Sequence, residues 1–187
     1  MSQTHANANK STVTLHVVSS IDGFIARKDN TVSWLESPAD AYEKGIPEGS
    51  DAEPVTASDC FVVGSRTYEH ALQLGWPYGD TRTIVVTGRK LPSTRKSVEF
   101  YAGDLKNLVD VVLAPQHPNI WLVGGARLCQ SFLALGLVDE IRLTIAPVLL
   151  GQGLRLFADS GLETRWRLTG VVAYNTAFVQ LSYRRAS

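Results

Sequence analysis

The sequence predicts a single α/β domain built on a mixed, mostly parallel sheet with helices on both faces. Three observations predict it. Short β-branched and apolar runs alternate with amphipathic segments of helical period, the pattern of βα units around a parallel sheet. At 187 residues the chain has the length of one domain, long enough to bury most of its surface without disulfides or a structural metal. The C-terminal segment departs from the alternation and reads as two strands around a tight turn, an antiparallel edge to the sheet.

The elements follow in order. The polar N-terminal stretch has no apolar signal core and reads as a disordered lead-in over residues 1–11, with the domain over 12–187. Thr12–Ser19 (TVTLHVVS) is the first strand, rich in β-branched residues. A long irregular stretch follows, marked by Gly23, Asp29-Asn30, Pro38, Gly45, Pro47, Gly49 and Pro54 and interrupted by a short helix around Ala39–Lys44. Irregular segments of that length in a compact domain usually carry function. Cys60–Val63 is a brief buried strand that leads directly into a helix over Arg66–Leu74. Thr83–Thr87 and Val98–Tyr101 are strands. Asp104 caps a helix over Asp104–Ala114, whose Leu105, Leu108, Val109 and Val112 form one apolar stripe. Ile120–Val123, the helix Ala126–Leu135 and the strand Glu140–Ile145 complete the alternation. Arg165–Tyr174 and Ala177–Arg184 form the terminal hairpin around Tyr174-Asn175-Thr176.

Composition narrows the function. Formal net charge is zero and the pI is about 6.9, which gives no basic surface for nucleic acid and no acidic tail. No apolar run reaches the roughly 18 residues that span a bilayer. Cys60 and Cys129 lie in apolar runs with no C-x-x-C and read as buried free thiols. The expected location is the cytoplasm.

In open α/β sheets ligands bind beyond the carboxyl ends of the strands. Two such junctions carry glycine: Gly64-Ser65-Arg66-Thr67 after Val63, and Gly124-Gly125-Ala126-Arg127-Leu128 after Val123. Each places glycine where a helix opens, and a helix N-terminus offers unpaired N–H groups to an anion. A dinucleotide pyrophosphate can lie between two such ends. Neither junction is a G-x-G-x-x-G fingerprint, and no G-x-x-x-x-G-K-[ST] loop occurs, so a standard Rossmann fold and a P-loop NTPase are disfavoured. A third strand ends in Thr87-Gly88-Arg89-Lys90, a hydroxyl and two cations suited to the 2′-phosphate that separates NADPH from NADH. Finally, Asp22-Gly23 turns the chain after the first strand and precedes apolar Phe24, Ile25 and Ala26, where a carboxylate can anchor a substrate or relay a proton. His16 and His70 show no partner by spacing and are read as structural.

Taken in chain order, Ser20-Ile-Asp22-Gly-Phe-Ile-Ala26, Trp34, Gly64-Ser-Arg66-Thr-Tyr-Glu69, Val86-Thr-Gly88-Arg89, Val123-Gly-Gly-Ala-Arg-Leu128, Gly136-Leu-Val-Asp-Glu140 and Pro147-Val-Leu-Leu-Gly-Gln-Gly153 with Leu156-Phe157 resemble the dihydrofolate-reductase-like superfamily. Within it they are most similar to the reductase domain of the bifunctional riboflavin-biosynthesis deaminase-reductase and its stand-alone relatives. The resemblance implies a three-layer fold with a mixed sheet of about eight strands. It implies NADPH as hydride donor, a small-molecule substrate and a homodimer. Gly64, Ser65, Arg66 and Thr67 would then hold the pyrophosphate together with Gly124, Gly125, Ala126, Arg127 and Leu128. Thr87, Gly88, Arg89 and Lys90 would lie near the adenosine phosphate. Ser20, Asp22 and Trp34 would line the substrate site, with Trp34 as a stacking wall, and Pro147 to Gly153 would form a constrained structural loop.

Two departures refine this expectation. No H-x-E with P-C-x-x-C occurs, so the zinc deaminase half is missing and no metal site is expected. In true dihydrofolate reductases the acid lies on the short helix after the tryptophan, where this chain offers Glu36 and Asp40. The expected reaction is hydride transfer to a C=N or C=O of a pterin-, pyrimidine- or ribose-derived molecule, with Asp22 orienting substrate or relaying the proton and Asp40 and Glu36 in reserve. A genuine dihydrofolate reductase and a non-catalytic nucleotide-binding paralogue are the competing readings.

Overall fold

The computed structural model describes residues 11–36, 41–47, 59–93, 95–157, 161 and 163–186. The lead-in at residues 1–10, Asp40 and the start of the expected helix around Ala39–Lys44 lie outside them. The described part of that helix, residues 41–44, runs through bends and turns instead.

The strands are β1 (Thr12–Ser20), β2 (Phe24–Ala26), β3 (Cys60–Gly64), β4 (Arg82–Val86), β5 (Val98–Tyr101), β6 (Asn119–Gly124), β7 (Glu140–Ala146), β8 (Leu154–Arg155), β9 (Trp166–Ala173) and β10 (Val179–Arg185). The helices are α1 (Ser65–Gln73), α2 (Leu105–Asn107) and α3 (Ala126–Ala134), with a 3-10 turn over Ser33–Leu35. Eight strands form one sheet in the order β5-β4-β3-β6-β1-β7-β10-β9. From β5 to β7 every neighbouring pair is parallel, and β10 and β9 close the far edge as an antiparallel hairpin.

Alternation along the strands sorts the two faces. Val13, Leu15 and Val17 of β1 join Cys60, Val62, Ile84, Ile120 and Leu122 in the main core, against Leu108, Leu113, Cys129 and Phe132. The intervening Val63 and Val85 point the other way and pack on Tyr68 and Ala71 of α1 with Trp76. Helices thus cover both faces and make three layers. Both thiols are free, as expected, and burial pushes each up to about 12, far from a reactive thiolate.

Three local differences from the sequence reading have physical causes. Ser11 is buried, and its hydroxyl donates to the carbonyls of Ala114 and His117, so this residue of the expected lead-in is packed against the domain. The helix expected over Asp104–Ala114 starts as α2, with Asp104 accepting from the Asn107 N–H as predicted, then widens into a π-helical segment over Leu108–Leu113. There Ala114 N–H reaches the carbonyl of Val109, five residues back. The wider turn rotates less per residue and swings Leu113 into the core, leaving Val112 only partly buried. The third difference is β2 and β8, which pair antiparallel through Phe24↔Arg155 and Ala26↔Leu154 as a separate two-stranded sheet.

Candidate functional site

Parallel strands β3 and β6 are neighbours and end side by side, with Val63 opposite Gly124. Each runs directly into a helix. Gly64 is the N-cap of α1 and Gly125 the N-cap of α3, and both have extended backbone. Neither helix has a side-chain cap or an acidic residue in its first turn. At α2, by contrast, the Asp104 carboxylate accepts from the Asn107 N–H. The first turns of α1 and α3 carry Arg66 and Arg127 instead. Both are exposed, and neither guanidinium forms a hydrogen bond or ion pair among the described residues.

The two junctions touch. A Cβ built on Gly64 would sit 3.6 Å from the Gly124 carbonyl oxygen, and one on Gly125 would sit 3.7 Å from Thr67 Oγ1. The N-termini of α1 and α3 are therefore neighbours, with glycine backbone and no side chain at each cap. That donor set fits a pyrophosphate, because backbone N–H groups and two partial positive charges meet two phosphates without any titration. The structure thus brings Gly64, Ser65, Arg66 and Thr67 together with Gly124, Gly125, Ala126 and Arg127. It assigns the Leu128 side chain elsewhere: Leu128 packs against the main core and can offer the site only its backbone.

The end of β4 adds the third cluster. Thr87 Oγ1 accepts from the Arg89 N–H at 3.0 Å and fixes the turn at Gly88. Arg89 is not free. Its guanidinium holds the Glu69 carboxylate of α1 through two bonds of 2.7 and 3.1 Å. That hydrogen-bonded pair, with the charge of Arg66 adding, lowers Glu69 from the ordinary carboxylate value. The sequence alone gives Glu69 no role, because a pairing across 20 residues is a tertiary fact.

Asp22 also takes a different part from the one expected. Ser20 Oγ donates to its Oδ1 at 2.6 Å, the Leu150 N–H to the same oxygen at 3.1 Å, and the Gly151 N–H to Oδ2 at 2.7 Å. The Ser20 hydroxyl, with these two amides, holds the carboxyl down to about 2 from an ordinary 3.8. A group so held has no proton to give near neutrality. In this geometry the ionised Asp22 carboxylate clasps the loop after β7. Ser20 is buried and occupied on both sides, since it also accepts from the Phe24 N–H at 3.0 Å. Further bonds join the same two segments, from Ile21 N–H to the Val148 carbonyl and from Leu156 N–H to the Gly23 carbonyl. A Cβ on Gly153 would collide with the carbonyl oxygen of Ala26. The expectation of a constrained Pro147–Gly153 loop finds its physical content here.

Trp34 is buried with Ala146, Tyr174 and Phe178, and its indole N–H has no hydrogen-bond partner among the described residues. Its body is core, so at most an edge of the ring is available to a ligand. Glu36 is exposed just beyond the Ser33–Leu35 turn, and Asp40 lies outside the described residues. Among the described residues no group of His, Cys, Asp and Glu could hold a metal ion. No helix among them is long and apolar enough to cross a membrane. A separate groove of about 540 Å³, lined by Leu133, Val138, Ile141, Phe157, Trp166 and Tyr183, lies at the opposite, N-terminal end of β7 and is no part of this site.

Sheet order, helix placement and paired strand-end junctions define an α/β domain of dihydrofolate-reductase-like fold. Residues 61–179 match the family described as the RibD C-terminal domain, and the chain belongs to that family. It is 33% identical over 174 residues to the uncharacterized protein YwjB of Bacillus subtilis (strain 168), covering 92% of this chain and 97% of that one. Among solved structures it superposes on a protein of Shewanella sp. PV-4 assigned to riboflavin biosynthesis, with a TM-score of 0.79, 23% identity, and 94% and 99% of the two chains covered. RibD of Acinetobacter baumannii matches at a TM-score of 0.65 and 19% identity, over 95% of this chain and 58% of that one. At those identities the two structures speak for the fold.

Proposed function

We propose that this chain is an NADPH-dependent reductase that transfers hydride to a C=N or C=O of a pterin-, pyrimidine- or ribose-derived small molecule. The observation that carries the reading is the pair of uncapped helix N-termini meeting at Gly64 and Gly125, and membership of the RibD C-terminal domain family supports it. The dihydronicotinamide supplies the hydride when bound. The chain's own residues bind and orient. The first turns of α1 and α3 hold the pyrophosphate, with Arg66 and Arg127 adding charge. The Thr87–Lys90 turn meets the adenosine end. The Asp22 clasp fixes the β1–β2 turn against the Pro147–Gly153 loop and so shapes the substrate wall. Asp40 and Glu36 are the carboxylates in reserve to carry a proton to the reduced atom.

We also propose a homodimer built on the hairpin. One face of β7, β10 and β9 is apolar in rows, Leu143 with Leu181 and Val171, and Ile141 with Tyr183 and Leu168. Ile141, Leu143 and Tyr183 pack on the main core, while Val171 is 58% exposed and Leu168 52%, which leaves the β9 edge of that face for a second copy.

The test is titration of the purified protein with NADPH and NADH at fixed salt, followed by turnover with dihydrofolate and with pyrimidine precursors of riboflavin. Micromolar NADPH binding with turnover of either supports the reading. Binding without turnover of any substrate would assign a nucleotide-binding role, and no binding of either cofactor would overturn the reductase assignment.

A further inference from the structure

We propose that Glu69 is a specificity-determining residue for the cofactor, occupying the position at Arg89 that a 2′-phosphate would take. The inference rests on the NADPH reading above and goes beyond it. Arg89 presents both terminal nitrogens to the Glu69 carboxylate, the forked geometry by which arginine also grips a phosphate. The pair spans two elements, α1 and the turn after β4, beside the helix end that would hold the pyrophosphate. Arg66 stands three residues before Glu69 on α1 and adds its charge. The carboxylate thus lies in the field of two arginines, where an exchanging phosphate would find its charge partners. The pair is open to such an exchange. Arg89 is 55% exposed and Glu69 40%, and an exposed ion pair holds its partners only weakly. The Thr87 hydroxyl keeps the Arg89 backbone in place while the guanidinium changes partner.

A ligand phosphate must therefore displace one carboxylate and bind next to it. A cofactor lacking the 2′-phosphate leaves the pair undisturbed. Glu69 in this way narrows the preference for the phosphorylated cofactor that Arg66, Arg89 and Lys90 alone would create. A sequence count of cations at this turn overstates that preference.

The experiment compares wild type, Glu69→Gln and Arg89→Ala by fluorescence titration with NADPH and NADH, and by calorimetry with adenosine 2′,5′-bisphosphate and ADP. Glu69→Gln is expected to tighten NADPH and the 2′,5′-bisphosphate by roughly two- to fivefold, while NADH and ADP stay within error. Arg89→Ala is expected to weaken the two 2′-phosphorylated ligands by about tenfold or more and the other two little. Equal effects of Glu69→Gln on both classes of ligand would overturn the proposal. So would weaker NADPH binding in Glu69→Gln, which would make Glu69 a residue that orients Arg89 for the phosphate. If wild type binds none of the four ligands, the reductase reading has failed and this one with it. If it binds NADPH and Glu69→Gln changes nothing, only this inference has failed.

Discussion

The backbone N–H of Gly151 donates to the carboxylate of Asp22 at 2.7 Å, across 129 residues of sequence. That bond, with those from Leu150 and Ser20, converts an Asp-Gly turn into the fastening of a distant loop. Asp22→Ala should free the loop without unfolding the sheet, because the small β2–β8 sheet and the Ile21–Val148 bond remain. Hydrogen exchange at Leu150 and Gly151 should quicken by about tenfold or more. Unchanged protection there would show that the clasp carries no weight.

The same bonds set the pH response. Because the folded carboxyl sits near 2 and the free one near 3.8, the stabilisation is complete above the free value. It is lost as pH falls from about 3.8 through about 2. Loop protection in wild type should thus be flat from pH 5 to 8, after correction for intrinsic exchange, and fall only in strong acid. Any rate titration found near neutrality should survive in Asp22→Asn. Its disappearance there would return the proton to Asp22.

His117 gives the opposite end of the sheet a pH response near neutrality. Its Nε2 lies 3.0 Å from Arg82 Nη1, and arginine can only donate, so the imidazole accepts and is neutral. Burial first, and the Arg82 charge second, lower it from the ordinary 6.5. The unfolded chain therefore takes up a proton before the folded one as pH falls, and stability declines from about 6.5 downward. The urea midpoint of wild type should drop between pH 7.5 and pH 5.5, and His117→Gln should flatten that drop. An equal drop in the variant would place the response at another histidine.

How much of this was legible in the sequence depends on how local each feature is. The alternation of elements, the Asp104 cap and the glycines at both junctions are written within a few residues, and all appear where expected. β2 and β8 are three and two residues long, too short to show a period, and exist because each is the other's partner. The π-helical segment looks identical to an α-helix at the level of apolar spacing. Asp22 and Arg89 are recognisable in the sequence as polar groups at a site, and Glu69 only as part of the junction motif. Their roles were not, since each is decided by a partner that only folding brings near.

The core offers a magnitude. Phe132 on α3 is fully buried among Leu15, Leu113 and Val138 in the main cluster. Phe132→Ala should cost about 3–5 kcal/mol and lower Tm by roughly 6–20 °C. A loss below about 1 kcal/mol in denaturant unfolding would mean that α3 is not packed as described.

Gly64 separates binding from folding most cleanly. Its φ is −84°, which any residue adopts, and a Cβ there makes only ordinary contact with the Gly124 carbonyl at 3.6 Å. Gly64→Ala should therefore fold with nearly the wild-type Tm. The added methyl would nonetheless stand in the space where the two helix ends converge, and NADPH should bind about tenfold more weakly, close to 1.4 kcal/mol. Gly124 is the contrasting case, because its φ of +130° strains any side chain. Gly124→Ala should lose stability and binding together. If Gly64→Ala folds and binds NADPH as well as wild type, the pyrophosphate does not lie between α1 and α3, and the arginines of those helices serve something else.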